Sequence, residues 1–198
     1  MRTKTRLVLT AVLSVGCLLA GAQLGIDASA GLTVGNYRAV NYPDYGQHVE
    51  LQTPKWAPAP YAGISLDYEI DRLHLCFGPY ATLRREVYKD ITVKPHAFSL
   101  DLRAAAEVVV FGGMGVYLGA SRATALRNRA YFRDFTAASA GVVYRYGAIT
   151  ARAGYRHGLS PYAEAQFTDI NGQALPSTEL RWREFDFNLS YTVFGGRG

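Results

Sequence analysis

The chain has 198 residues, a length that suits one domain, and a formal charge of +5. Arg2, Lys4 and Arg6 supply three of those positive charges, so the rest of the chain carries +2 and gives no ground for a nucleic-acid partner. Hydrophobic residues make up 49% of the chain, yet no segment after residue 22 holds the roughly 18 uncharged apolar residues of a membrane-spanning helix.

The first 22 residues read as an export signal. Arg2, Lys4 and Arg6 precede an apolar run from Leu7 to Leu19. Ala20-Gly21-Ala22 then places small residues at the −3 and −1 positions of a signal-peptidase site, so the expected mature chain starts at Gln23. The domain division is thus 1–22 for the signal peptide and 23–198 for the folded domain. Cys17 fits a lipidation site poorly, because Ser14 is wrong for a lipobox and the apolar run continues through Leu18 and Leu19. Cleavage leaves Cys76 alone, which forbids an intramolecular disulfide.

Behind the signal, apolar and polar residues alternate in segment after segment. Successive side chains of a strand point to opposite faces, so each segment reads as a strand with one apolar face. In the first, Leu24, Ile26, Ala28, Ala30, Leu32 and Val34 oppose Gly25, Asp27, Ser29, Gly31, Thr33 and Gly35. The second is Ala62–Ile70, with Asp67 and Glu69 on its polar face; Asp71-Arg72 turns the chain. The third runs from Leu73 to about Arg84, with His74, Cys76, Tyr80, Thr82 and Arg84 on its polar face. Pro79 inside it cannot donate to a ladder and predicts a bulge or kink.

The fourth strand, Phe98–Val110, turns Ser99, Asp101, Arg103 and Glu107 to one side. Gly112-Gly113 marks a tight turn into the fifth, Met114–Ser121. The sixth, Thr136–Tyr146, carries Arg145 on its polar face, and Val143 breaks its alternation. The seventh, Ile149–Arg156, carries Arg152 and Arg156. The eighth, Arg183–Phe194, carries Glu184 and Asp186.

Connections after strands two, four and six take a few residues. Those after one, three, five and seven are long, spanning roughly 36–61, 85–97, 122–135 and 157–182. Strands of about ten residues with loops alternating in length describe a transmembrane barrel. A soluble lipocalin-like barrel would share the alternation with its apolar face inside. Against it stand the charged, small-residue polar face, the alternating loops, and aromatics on the apolar face near strand ends. These are Tyr68, Tyr144, Tyr146, Tyr191 and Phe194 at the short-turn end, and Phe98, Tyr155 and Phe185 at the other.

Four segments carry a family resemblance: Gly25-Ile26-Asp27-Ala28; Phe98–Val110 followed by Phe111-Gly112-Gly113 and Val116-Tyr117-Leu118-Gly119-Ala120; Ala153-Gly154-Tyr155-Arg156-His157-Gly158-Leu159-Ser160; and Phe187–Phe194. In these the chain resembles the PorT-like family of small outer-membrane β-barrels common in Bacteroidetes. Gly195–Gly198 follow Phe194, where such proteins usually stop on the aromatic. The resemblance implies a barrel in the outer membrane. It implies little about activity, although the namesake serves a type IX secretion pathway.

Chemistry-bearing residues form no obvious constellation. His157 and Ser160 suggest a hydrolase pair, but a spacing of three puts them on opposite faces of a strand, and no carboxylate lies near to orient the histidine. His157 is expected to enter a loop. His48, His74 and His96 are scattered, and His74 with Cys76 supplies two ligands where zinc needs more. Arg122, Arg127, Arg129 and Arg133 make the loop after strand five basic, suited to lipopolysaccharide phosphates, an anionic partner or plain solvent. The first long loop holds Tyr37, Tyr42, Tyr45 and Trp56 among Pro43, Pro54, Pro58 and Pro60, a binding surface or a cover for the barrel mouth.

The resulting expectation is an all-β, eight-stranded antiparallel up-and-down transmembrane β-barrel of the bacterial outer membrane, with short periplasmic turns and long extracellular loops. It is expected to be no enzyme and to need no cofactor or metal. Its role is structural or a loop-mediated interaction. A secretion or transport accessory is the first alternative, and a lipid-modifying enzyme the second. Expected partners are outer-membrane lipid and lipopolysaccharide, the barrel-assembly machinery and an envelope protein of unstated identity. The lumen is expected to be closed by Asp27, Asp67, Glu69, Asp101, Arg103, Glu107, Arg145, Arg152, Arg156, Glu184 and Asp186, with Arg156 facing Glu184 and Arg152 near Asp186.

Overall fold

A computed structural model describes residues 23–40, 56–85, 96–127, 133–161, 163–165 and 178–195. The signal peptide 1–22 with Cys17, the loop residues Tyr42, Pro43, Tyr45, His48 and Pro54, and Arg129 lie outside the described residues. The strands are β1 (Gln23–Val40), β2 (Ala57–Ile70), β3 (Leu73–Arg85), β4 (His96–Phe111), β5 (Met114–Ala125), β6 (Phe135–Tyr146), β7 (Ile149–Gly158), β8 (Ala163–Ala165) and β9 (Thr178–Phe194). Each wall strand pairs antiparallel with its neighbours in the order β1 to β7 and then β9, and β1 pairs β9 to close the sheet. The three residues of β8 extend the sheet along β9 beyond the end of β7. The wall is therefore the expected closed, all-antiparallel barrel of eight strands.

The pleat puts every second residue inside. Leu24, Ile64, Leu75, Leu102, Leu118 and Leu189 face outward and are exposed, whereas Asp27, Thr82, Asp101, Glu107, Thr150 and Glu184 face inward and are buried. Val143 does not break this parity; it points inward and is buried. Three two-residue turns close one end, here the turn end. Gly112 and Gly113 have φ of 55° and 82°, the left-handed pair that a type I′ hairpin requires. Gln23 and Phe194 lie at the same end, and the long connections leave from the other, the loop end.

Strands run further toward the loop end than the sequence suggested. Asn36–Val40 and Ala57–Tyr61 were expected in a loop and are strand. Pro58 and Pro60 misled that reading. In Ala57–Pro60 only β1 is paired, so the prolines sit on a strand edge, where a missing N–H is tolerated. Arg122 lies on β5 and His157 on β7 rather than in loops. Pro79 produces no bulge: its register with β4 is unbroken. On the β2 side, pairing lapses between Gly63↔Tyr80 and Leu66↔Phe77 and resumes in the same register.

Inside the loop end, Tyr37, Ala123, Ala125, Phe135, Ala137 and Trp182 pack into a buried apolar cluster, with Leu180 against it. Deeper in, Tyr117 lies over two glycines of neighbouring strands. A Cβ on Gly141 would come 2.7 Å from Tyr117 Cε1, and one on Gly154 would come 2.9 Å from Tyr117 Cζ. Overpacking of this kind costs about 1–3 kcal/mol. Gly154→Val should lose that much in urea unfolding of the detergent-folded protein, while Ala28→Val on the outer face stays within about 0.5 kcal/mol of the parent. Equal losses in the two variants would contradict the inward placement of Gly154.

Candidate functional site: the charged lumen

All eleven charged residues expected in the lumen face inward, and the structure sorts most of them into three tiers. Arg84, from the polar face of β3, joins the tier nearest the loop end. Its guanidinium donates to both Asp101 carboxylate oxygens, at 3.0 and 2.8 Å, and stands 3.7 Å from Glu184. Arg156 pairs with Glu184 and donates to Asp101 at 3.3 Å. Thr82 donates to Asp101 at 3.1 Å, and Trp182 Nε1–H donates to Glu184 at 2.8 Å. Two arginines and two carboxylates thus neutralise one another out of water, the condition under which buried ions are tolerated.

The middle tier is Arg103 with Asp186, at 3.0 Å. Tyr61 O–H donates to the same carboxylate at 2.6 Å. The Arg103 guanidinium lies between two rings, 4.1 Å from the centroid of Tyr61 and 4.6 Å from that of Tyr80, so cation–π attraction adds to the ion pair.

The tier nearest the turn end is built on Glu107. Arg145 and Arg152 both donate to it, Arg152 Nε at 2.5 Å. Arg145 also reaches Asp67 at 2.7 Å. The Cys76 thiol sits among them, 3.5 Å from Glu107 and 3.6 Å from Asp67. His74 Nδ1 is 3.3 Å from Asp67, and its Nε2 is 3.9 Å from Glu69.

One expected pairing is absent. Arg152 does not pair with Asp186 but crosses the lumen to Glu107, and also donates to Asn188 at 3.0 Å and Ser190 at 2.7 Å. The register explains this: Arg152 stands opposite Asn188, while Asp186 stands opposite Gly154. Asp27 joins none of the tiers.

Space left between the tiers amounts to a cavity of about 60 Å³, bounded by Tyr80, Arg103, Glu107, Tyr117, Arg152 and Asp186 among others. That holds a few waters.

The other candidates lie outside the lumen. Arg122 points outward with its side chain 68% exposed, 4.0 Å from Asp134. Arg127 and Arg133 are exposed beyond the strand ends. His157 faces outward and stacks on Tyr155, with ring centroids 6.3 Å apart. Ser160 Oγ accepts from Thr136 N–H at 2.8 Å, so the structure does not join His157 to Ser160.

No family model matches the chain, and a search of the curated proteins returns no match. Solved structures similar to it include Neisserial surface protein A, at 16% identity and a TM-score of 0.49, covering 87% of this chain and 99% of that one. OmpT, an outer membrane protein of Vibrio cholerae solved as a trimer, is 17% identical with a TM-score of 0.32, covering 86% of this chain. The present chain spans 52% of OmpT.

Removing one partner of a buried pair strands the other, at about 3–5 kcal/mol, whereas replacing both with apolar residues is close to neutral. Glu184→Leu should therefore destabilise the barrel by that amount, and Glu184→Leu with Arg156→Met by less than the single change. Urea unfolding of the three proteins distinguishes this from additive losses, which would mean that the pair is not coupled.

Proposed function

We propose that the protein is a non-enzymatic barrel of the bacterial outer membrane, with a closed lumen and a structural or surface-interaction role. The observation that carries this reading is the inverted polarity of the wall. Leu118 and Ile64, 69% and 57% exposed, stand on an outer face that is apolar from strand to strand, and the arginines and carboxylates of the tiers are inside. A soluble protein does not leave an apolar surface of that extent uncovered, and lipid is the solvent that suits it. Aromatics flank the belt as a bilayer's two interfaces require. Tyr144, Tyr146, Tyr191 and Phe194 are exposed at the turn end, and Phe98, Tyr155 and Phe185 at the loop end. At the loop end Trp56 packs on Phe185 at 5.4 Å and Arg183 lies over the Trp56 ring.

The export signal in residues 1–22 supports delivery to that membrane, with the turn end in the periplasm and the loop end outside. We place the chain with the PorT-like barrels on its four sequence patterns, as kinship of fold and membrane. Arg122, Arg127 and Arg133 then lie at the outer leaflet, where lipopolysaccharide offers phosphate. The separation of His157 from Ser160 favours the non-enzymatic reading over a lipid hydrolase.

Ion tiers and the aromatic cluster favour a plug over a pore. Purified protein inserted into a planar bilayer should leave the current at baseline. Steady unitary steps of porin size would overturn the closed-lumen reading, and partition into the aqueous phase on detergent phase separation would overturn the membrane reading.

A further inference from the structure

Every arginine of the lumen has a carboxylate partner in the tiers, and Glu69 faces His74. Asp27 alone among the lumen carboxylates is left over. It is 0% exposed, and neither of its carboxylate oxygens has a hydrogen-bond partner among the described residues. A bare carboxylate out of water is strongly disfavoured unless something of opposite charge meets it.

What surrounds Asp27 points to one such thing. Ser65 on β2 and Thr192 on β9 stand directly across from it, one on each side. Their hydroxyls are also buried and without hydrogen-bond partners. Residues directly opposite in a sheet have Cβ atoms about 4.5–5.5 Å apart, so the Asp27 carboxylate is flanked by two hydroxyl-bearing side chains that do not bond it. The register between β1 and β9 shifts between Ile26 and Asp27, and such irregularities re-aim a side chain. Gly25 is the next inward residue toward the turn end, and a Cβ there would be in ordinary contact with the Phe194 carbonyl at 3.5 Å and Thr192 Cγ2 at 3.6 Å. A cavity of about 10 Å³ lies toward the turn end, lined by Gln23, Leu24, Gly25, Asp67, Glu69, Thr192 and Gly195, so of the three residues it touches Thr192. Asp67 and Glu69 on its wall are carboxylates, and Arg145 and His74 are engaged with Asp67.

We infer that Asp27, Ser65 and Thr192 form a binding site for a small hard monovalent cation, sodium in the bacterial envelope, at the turn end of the lumen. Carboxylate and hydroxyl oxygens are the ligands hard cations take. One free carboxylate balances one charge. Filling the site ties β2, β1 and β9 together beside the chain termini, where the barrel closes.

Thermal unfolding of the detergent-folded barrel tests this, in sodium chloride against N-methyl-D-glucamine chloride at equal ionic strength. The Tm of the wild type should be higher in sodium and should saturate with its concentration. Asp27→Asn should fold and lose the difference between the two salts. Thr192→Val keeps the carboxylate and should retain the response with a midpoint several-fold higher in sodium. Equal Tm in the two salts for the wild type would overturn the proposal, as would an unchanged sodium response in Asp27→Asn. If Asp27→Asn does not fold, Thr192→Val and Ser65→Ala decide: an unchanged midpoint in both places the ion elsewhere. A wild-type Tm that follows pH and ignores sodium assigns a proton to Asp27 and overturns the cation.

Discussion

An eight-stranded barrel has an interior that side chains just fill, and that constraint shapes everything inside this one. Charges placed on the inner face have little water to solvate them, so each must find a partner across the lumen. Glu107 on β4 meets Arg145 on β6 and Arg152 on β7; Asp101 on β4 meets Arg84 on β3 and Arg156 on β7. The Arg84–Asp101 bond joins adjacent strands, and the other three tie β4 to β6 and β7, which are not its neighbours in the sheet. On the strands that carry Arg145, Arg152 and Arg156, the lumen glycines Gly141 and Gly154 leave room for the Tyr117 ring. Charge and volume are thus balanced together.

The tiers and the apolar cluster at the loop end are one structure. Trp182 packs with Tyr37 and Phe135 in the cluster while its indole N–H donates to Glu184 of the nearest tier. Arg84 of the same tier lies 5.1 Å from the Phe135 centroid. The long strands β1 and β9 carry paired sheet beyond the end of β7, from Asn36↔Arg183 to Val40↔Glu179 with β8 alongside, so part of what reads as loop in the sequence is paired strand.

The sequence made the wall legible and the wiring only partly so. A period of two assigns each residue to one face, and that alone puts Asp101, Glu107, Arg145, Arg156 and Glu184 inside. Facing residues on adjacent strands are the next easiest inference, and Arg156 with Glu184 is such a pair. Partners across the lumen are not in the pattern, because an arginine is long enough to pass its neighbour and reach a distant strand. Arg152 does so, bypassing Asp186 for Glu107. Arg84 was visible on a polar face, but Pro79 earlier in its strand suggested a bulge that the strand does not contain. Strand ends were misjudged where proline lies on an edge, as at Pro58 and Pro60. The isolation of Asp27 could not be read at all, since it depends on which arginines the other carboxylates occupy.

The central claim is a filled, ion-paired interior inside an apolar shell. Spin labels placed one at a time along β4, from Phe98 to Val110, in the protein folded into lipid vesicles test it most directly. At even positions, the labels should collide with oxygen dissolved in the bilayer and not with an aqueous nickel complex. At odd positions, those that fold should be immobilised and reached by neither. Odd positions open to the nickel complex would show a water-filled channel, and even positions open to it would show that lipid does not cover the wall; either result contradicts the account.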